Sequence, residues 1–159
     1  MNIEKRIKGM RSTRTFTVFM MAFIMLLSLG VSYVAAIEGN PLLVSPQTSF
    51  DPGFKDLESG GGAITDLGGG TIRVNGQTNA TKYVDTIGVR TIIQKWDGSS
   101  WLDVYTSSDA TNSNNISIYV SYQLAVTSGY YYRVQSVHWT VKDRIMEQGI
   151  RYSSSILIK

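Results

Sequence analysis

The single histidine, His138, sits beside Trp139 in a run of alternating residues. A lone histidine cannot assemble a histidine-based metal site, and it serves as a general base only next to a nucleophile and an orienting acid. Serine is abundant, yet no Gly-x-Ser-x-Gly elbow is present, so a hydrogen-bonded or solvated strand histidine is expected. The acids Asp85, Asp97, Asp103, Asp109, Asp143 and Glu147 are dispersed. Such acids ordinarily solvate turns and strand ends, whereas glycoside hydrolysis needs two carboxyls facing each other across roughly 5–9.5 Å. The chain has no cysteine, which excludes thiol catalysis, disulfides and Cys-based zinc sites. Gly60-Gly61-Gly62 and Gly68-Gly69-Gly70 are not followed by the Lys-Ser/Thr of a phosphate loop. No catalytic residue, metal or cofactor is expected, and the domain reads as a non-enzyme.

Aromatic residues are the one chemical feature above this background. Trp96 and Trp101 bracket the loop Asp97-Gly98-Ser99-Ser100, a spacing that pairs them across a hairpin. Tyr130, Tyr131, Tyr132 and Trp139 crowd one run. If Tyr130, Tyr132 and Val134 face the core, alternation turns Tyr131, Arg133, Val137 and Trp139 to the other side. Flat rings stack on pyranoses while polar neighbours fix hydroxyls. Trp96, Trp101, Tyr131, Arg133 and Trp139 are therefore the candidate ligand-binding residues, against the alternative that they stabilise the sheet as cross-strand pairs.

The elements that must position these residues begin after an N-terminal leader. Lys5, Arg6, Lys8, Arg11 and Arg14 precede the apolar run Phe16–Val34, which ends in Val34-Ala35-Ala36. That is the layout of a secretory signal peptide over residues 1–36, helical in its apolar part. A retained membrane anchor is the alternative, because the run approaches the roughly 20 residues that span a bilayer. The leader holds five Lys/Arg against one Glu, leaving ten Lys/Arg against eleven Asp/Glu in the remainder, a net charge of −1. The whole-chain charge of +3 is thus a property of the leader, and no nucleic-acid partner is implied. Membrane contact is expected only through the leader before cleavage, and the mature protein is placed outside the cell.

Residues 37–62 contain all three prolines (Pro41, Pro46, Pro52) and Gly60-Gly61-Gly62, which reads as a flexible, disordered linker. From Ala63 to Lys159 the chain alternates β-branched and aromatic runs with polar turns. Expected strands cover 63–66, 71–78, 86–96, 101–105, 116–126, 130–141 and about 147–158. The fifth is the most regular: Ile116, Ile118, Val120, Tyr122, Leu124 and Val126 occupy every second position. Seven antiparallel strands in about 95 residues match an immunoglobulin/fibronectin III-like sandwich.

The segment Val126-Thr127-Ser128-Gly129-Tyr130-Tyr131-Tyr132-Arg133-Val134-Gln135-Ser136 resembles the beginning of the sixth strand in fibronectin type III domains. The resemblance implies that Tyr132 is a tyrosine-corner residue, its ring in the core and its hydroxyl bonded to backbone at the preceding turn. The usual second-strand tryptophan of that family is missing, since Ile72 and Val74 occupy the run. Residues 63–159 are also similar to a family of small secreted proteins of Gram-positive bacteria known only as a domain of unknown function. That similarity is carried by Thr91–Lys95, Trp101, Ser128–Val134, His138 and Tyr152–Ile156, and it implies location and fold alone. The function expected is a secreted, non-catalytic binding or interaction module at or outside the cell envelope, its partner a glycan or another extracellular protein. The alternatives are a small secreted hydrolase using His138 and an exported toxin or signalling protein.

Overall fold

A computed structural model of the chain describes residues 50–159. The expected signal peptide and residues 37–49 of the expected linker lie outside the described residues. The described part is all-β and antiparallel. Its strands are β1 (Leu57–Gly68), β2 (Thr71–Trp96), β3 (Trp101–Thr106), β4 (Ala110–Ala125), β5 (Tyr131–Lys142), β6 (Ile145–Tyr152) and β7 (Ile156–Leu157).

The long strand β2 organises the molecule. Its first part, Thr71–Ala80, pairs with β1 on one side and with Ser117–Ala125 of β4 on the other. Its last part pairs with β5 over Thr86–Lys95 and with β3 over Ile92–Trp96. In between, the register against β4 slips between Asn79 and Val84. Opposite that slip, Asn114 takes a φ of 47°, and the Asn115 side chain accepts from the amides of Ile116 and Ser117 at 2.8 and 3.2 Å. Bulges of this kind bend a strand and let it leave one layer for the next. One antiparallel sheet is thereby curled into two facing layers: β1, early β2 and late β4 in the first; late β2, β3, β5, β6 and β7 in the second.

Both layers supply the core. Ile72 and Val74 of the first pack with Ile93, Tyr132, Val134 and Ile158 of the second. A second cluster of Ala80, Val84, Ile87, Val89 and Ile118 fills the bend. Glycine makes the approach between layers close: a Cβ on Gly60 would fall 2.6 Å from the His138 ring, and one on Gly62 would fall 2.8 Å from Val134. Such glycines sit in strands because another element approaches their backbone.

Several sequence expectations change here. Gly60-Gly61-Gly62, expected in a linker, forms part of β1. Residues 50–56 are also tied down, with Phe50 buried and the amides of Lys55, Asp56 and Leu57 donating to the Glu147 carboxylate at 2.7–2.8 Å. The expected strands 71–78 and 86–96 are one strand, because the polar stretch between them keeps extended geometry through the bend. Ile116 is exposed rather than buried, since it lies at the β4 kink, while Ile118 onward keeps the inward alternation. The last expected strand is divided into β6 and β7 at Ser153, whose hydroxyl accepts the Val134 amide at 2.9 Å. β2 also runs through both layers instead of being divided between them, so the strand division expected for an immunoglobulin/fibronectin III-like sandwich is not reproduced. The tyrosine corner is present: Tyr132 is 2 % exposed, and its hydroxyl donates to the Thr127 carbonyl at 2.9 Å.

Candidate functional site

β5 places His138 on its inward side, fully buried. The Thr78 hydroxyl donates to the Gly88 carbonyl at 3.0 Å, so it accepts from His138 Nδ1–H at 2.7 Å. Nε2 is left to accept from the Ser136 hydroxyl at 2.7 Å, a much shorter contact than that hydroxyl's alternative donation to the Arg151 carbonyl at 3.4 Å. The ring is thus a neutral imidazole held between two hydroxyls and covered by Phe50, with ring centroids 5.4 Å apart. Burial, with a smaller push from Arg151, lowers its pKa to about 4. A ring with both nitrogens engaged and no exposed edge is a structural element of the core.

Five of the six dispersed acids are occupied by their own surroundings. Asp97 accepts the amides of Ser99 and Ser100 at 2.8 and 2.7 Å, and its pKa falls to about 2 through those bonds. This fixes the hairpin loop in which Gly98 has a φ of 103°. Asp109 makes a two-pronged pair with Arg90, Asp85 accepts from Lys142 and from the Asp143 amide, and Asp103 accepts from Gln94 at 2.7 Å. Burial pushes the Glu147 carboxyl up, but its three backbone amides outweigh this and hold it below the usual carboxylate range. Among the described residues, no group of three or more His, Asp and Glu side chains is arranged to hold a metal.

The outer side of the second layer brings together four of the five expected aromatic-face residues. Trp96 and Trp101 are register partners across the hairpin, with ring centroids 5.3 Å apart. The Arg133 guanidinium lies 4.3 Å from the Trp101 ring centre and 4.4 Å from that of Tyr152, sandwiched between the two. Its Nε donates to Gln94 Oε1 at 2.8 Å, and Gln94 donates in turn to Asp103 and Gln135. Burial lowers the Arg133 pKa. Tyr131 lies two positions before Arg133 and shares its face by the alternation of β5. Lys95, which alternation turns to the other side of β2, sits 4.4 Å over the exposed Tyr130 ring.

Trp139 is on the same side but does not join them. It lies six positions along β5 from Arg133, roughly 20 Å away at strand rise. It is only 8 % exposed, its indole pressed onto Gly88, where a Cβ would come within 2.1 Å. There it contributes to a separate groove of about 380 Å³ with Arg90, Val137, Met146 and Ile150. Trp139, expected among the ligand-binding residues, thus lines a groove apart from the other four, its indole lying over Gly88.

Sequence reasoning missed Gln94, Gln135 and Tyr152, which complete the ladder. Their signal is strand register, which pairs Gln94 with Arg133 and Gln135 with Tyr152. It also missed the outer side of the first layer. There Ser59, Asn75, Gln77, Asn79 and Tyr119 surround a shallow groove of about 350 Å³ over Gly61. The polar half of the period-two pattern at 75, 77 and 79, read beside 117, 119 and 121, was the available clue. Comparison with protein-family models, with curated proteins and with solved structures finds no match.

Proposed function

We propose that the domain is a non-catalytic binding module acting outside the cytoplasm, at or beyond the cell envelope, secreted after loss of the leader or tethered by it. The observation that carries this reading is the convergence of Trp96, Trp101, Tyr131, Arg133 and Tyr152 on one outer face. Trp, Tyr and Arg are the residues that dominate protein-interface energetics. Arg133 already covers a face of Trp101 and of Tyr152, which favours a protein surface over a stacked sugar at this position. The buried, hydroxyl-bound His138 argues against a hydrolase built on it. An exported toxin or signalling protein would use the same face on another cell. The Tyr132 corner supports kinship with immunoglobulin/fibronectin III-like sandwiches, and the undivided β2 marks the departure from them.

The test is retention of cell-envelope fractions on the immobilised full chain. Wild type and His138→Gln should retain the same component, and Trp101→Ala combined with Tyr131→Ala should weaken its retention at least tenfold. Equal retention by the double variant, or none by wild type, would refute the reading.

A further inference from the structure

The outer side of the first layer differs from a generic solvated sheet. Three strands bring their outward residues into rows: Ser59–Asn79–Ser117, Gly61–Gln77–Tyr119 and Ala63–Asn75–Ser121. The amides form a chain. Gln77 Nε2 donates to Asn79 Oδ1 at 3.0 Å, and Asn79 Nδ2 donates to the Ser59 hydroxyl at 3.1 Å. In the next row the Ser121 hydroxyl donates to Asn75 Oδ1 at 2.8 Å. A primary amide carries two N–H donors and two lone pairs, so these bonds fix the amide planes and leave further capacity pointing at solvent. Gly61 interrupts the wall. Among the described residues, no atom lies within 4 Å of where its Cβ would be, and the space above it is the trough of the groove. Tyr119 stands at the far end of that row, 60 % exposed.

We propose that this groove binds a neutral glycan. No lining residue is charged, so the site offers no counter-charge to the phosphates of a nucleotide or lipid headgroup, or to the sulfates and carboxylates of an acidic polysaccharide. An extended peptide adds to a sheet through its edge, whereas the groove lies on the face of three paired strands, reaching from β1 across β2 to Tyr119 of β4. Its groups suit a polyol: fixed amides spaced along a strand take pairs of hydroxyls as donor and acceptor at once, and the exposed Tyr119 ring supplies an apolar face for a pyranose. The missing side chain at Gly61 makes room for one sugar ring beside Gln77. The site is independent of the aromatic face on the other layer, and the two proposals can fail separately.

Affinity electrophoresis of the full chain through gels containing a neutral β-glucan, a neutral α-glucan, a chitin oligomer or, as charged control, a sulfated polysaccharide tests this. At least one neutral polymer should retard the wild type, and the sulfated one should not. Gly61→Val fills the trough from a position with open space above it and should reduce the affinity at least tenfold. Tyr119→Ala should reduce it about fivefold, and it provides the same test if Gly61→Val fails to fold. Trp101→Ala combined with Tyr131→Ala should bind the glycan like wild type while its retention of the envelope component weakens at least tenfold. Retardation by no neutral polymer, retardation by the sulfated one alone, or wild-type affinity in both groove variants would overturn the proposal.

Discussion

The two outer faces are built from one strand yet are opposite in character. Early β2 turns Asn75, Gln77 and Asn79 outward beside a glycine, leaving a polar trough with spare hydrogen-bonding capacity. Late β2 turns Gln94 and Trp96 outward, where they join Trp101, Arg133 and Tyr152 in a network that occupies its own donors and ring faces. The same period-two alternation serves both. What separates them is the slip at 80–84, which carries β2 from one layer to the other and faces its inward residues across a shared core. A single strand can therefore present a recessed polar surface at one end and a filled aromatic one at the other. The recess depends on which glycines look outward and which look inward.

The sharpest break of that comparison uses neighbouring glycines. Gly60 faces the core, where a Cβ would sit 2.6–2.9 Å from three atoms of the His138 ring, and that ring is held by hydrogen bonds on both sides. Gly61 faces open space. Gly60→Val should destabilise the domain by about 3 kcal/mol or more, at the upper end of overpacking costs because the imidazole cannot move aside. Gly61→Val should change stability by no more than about 0.5 kcal/mol, as expected for an open surface position. Urea midpoints measure both, and equal losses would mean that β1 does not present its glycines to opposite sides.

The core side of the same contact gives the next effect. His138 has a folded pKa of about 4 against an ordinary 6.5. Between these values the unfolded chain binds the proton and the folded one does not, so stability is full above about pH 6.5 and falls as the pH drops toward 4. The loss across that window is about 3 kcal/mol at most, from the free energy per pKa unit. Arg151, whose guanidinium lies 4.1 Å from the Phe50 ring centre, adds to the shift. Urea unfolding at pH 7 and pH 4 should show a steeper decline in wild type than in His138→Gln. Parallel declines in the two would place the imidazole in contact with water.

Parts of this architecture were legible in the sequence because they are local. The 118–126 alternation, the Trp96–Trp101 hairpin and the Tyr132 corner each lie within about ten residues, and each is found where its pattern points. The rest depends on partners distant in the chain. A triple glycine reads as linker until His138 and Val134, more than 70 residues later, require the missing side chains. Polar residues at 79–85 read as a turn until β1, β4 and β5 are seen to pair on either side of them. Trp139 reads as exposed until Gly88, fifty residues earlier, receives its indole. The groove over Gly61 escaped notice for a related reason: its amides belong to different strands and become neighbours only through register.

The smallest effect decides how far the aromatic face is a ligand surface and how far it is a brace for the sheet. Arg133 stacks on Trp101 at partial exposure, a setting in which a cation–π contact contributes about 0.5–1 kcal/mol. A double-mutant cycle of Arg133→Ala and Trp101→Ala should give a coupling of that size in urea unfolding, because the residues touch and share partners. Arg133 also donates to Gln94, so its single replacement should cost more than the coupling alone. A coupling near 2 kcal/mol or above would make the ladder chiefly structural, and a partner would then meet a rigid wall whose rings are already committed. A coupling near zero would free the guanidinium and the Trp101 face for the ligand, and the two outer faces would then be more alike than their geometry now makes them.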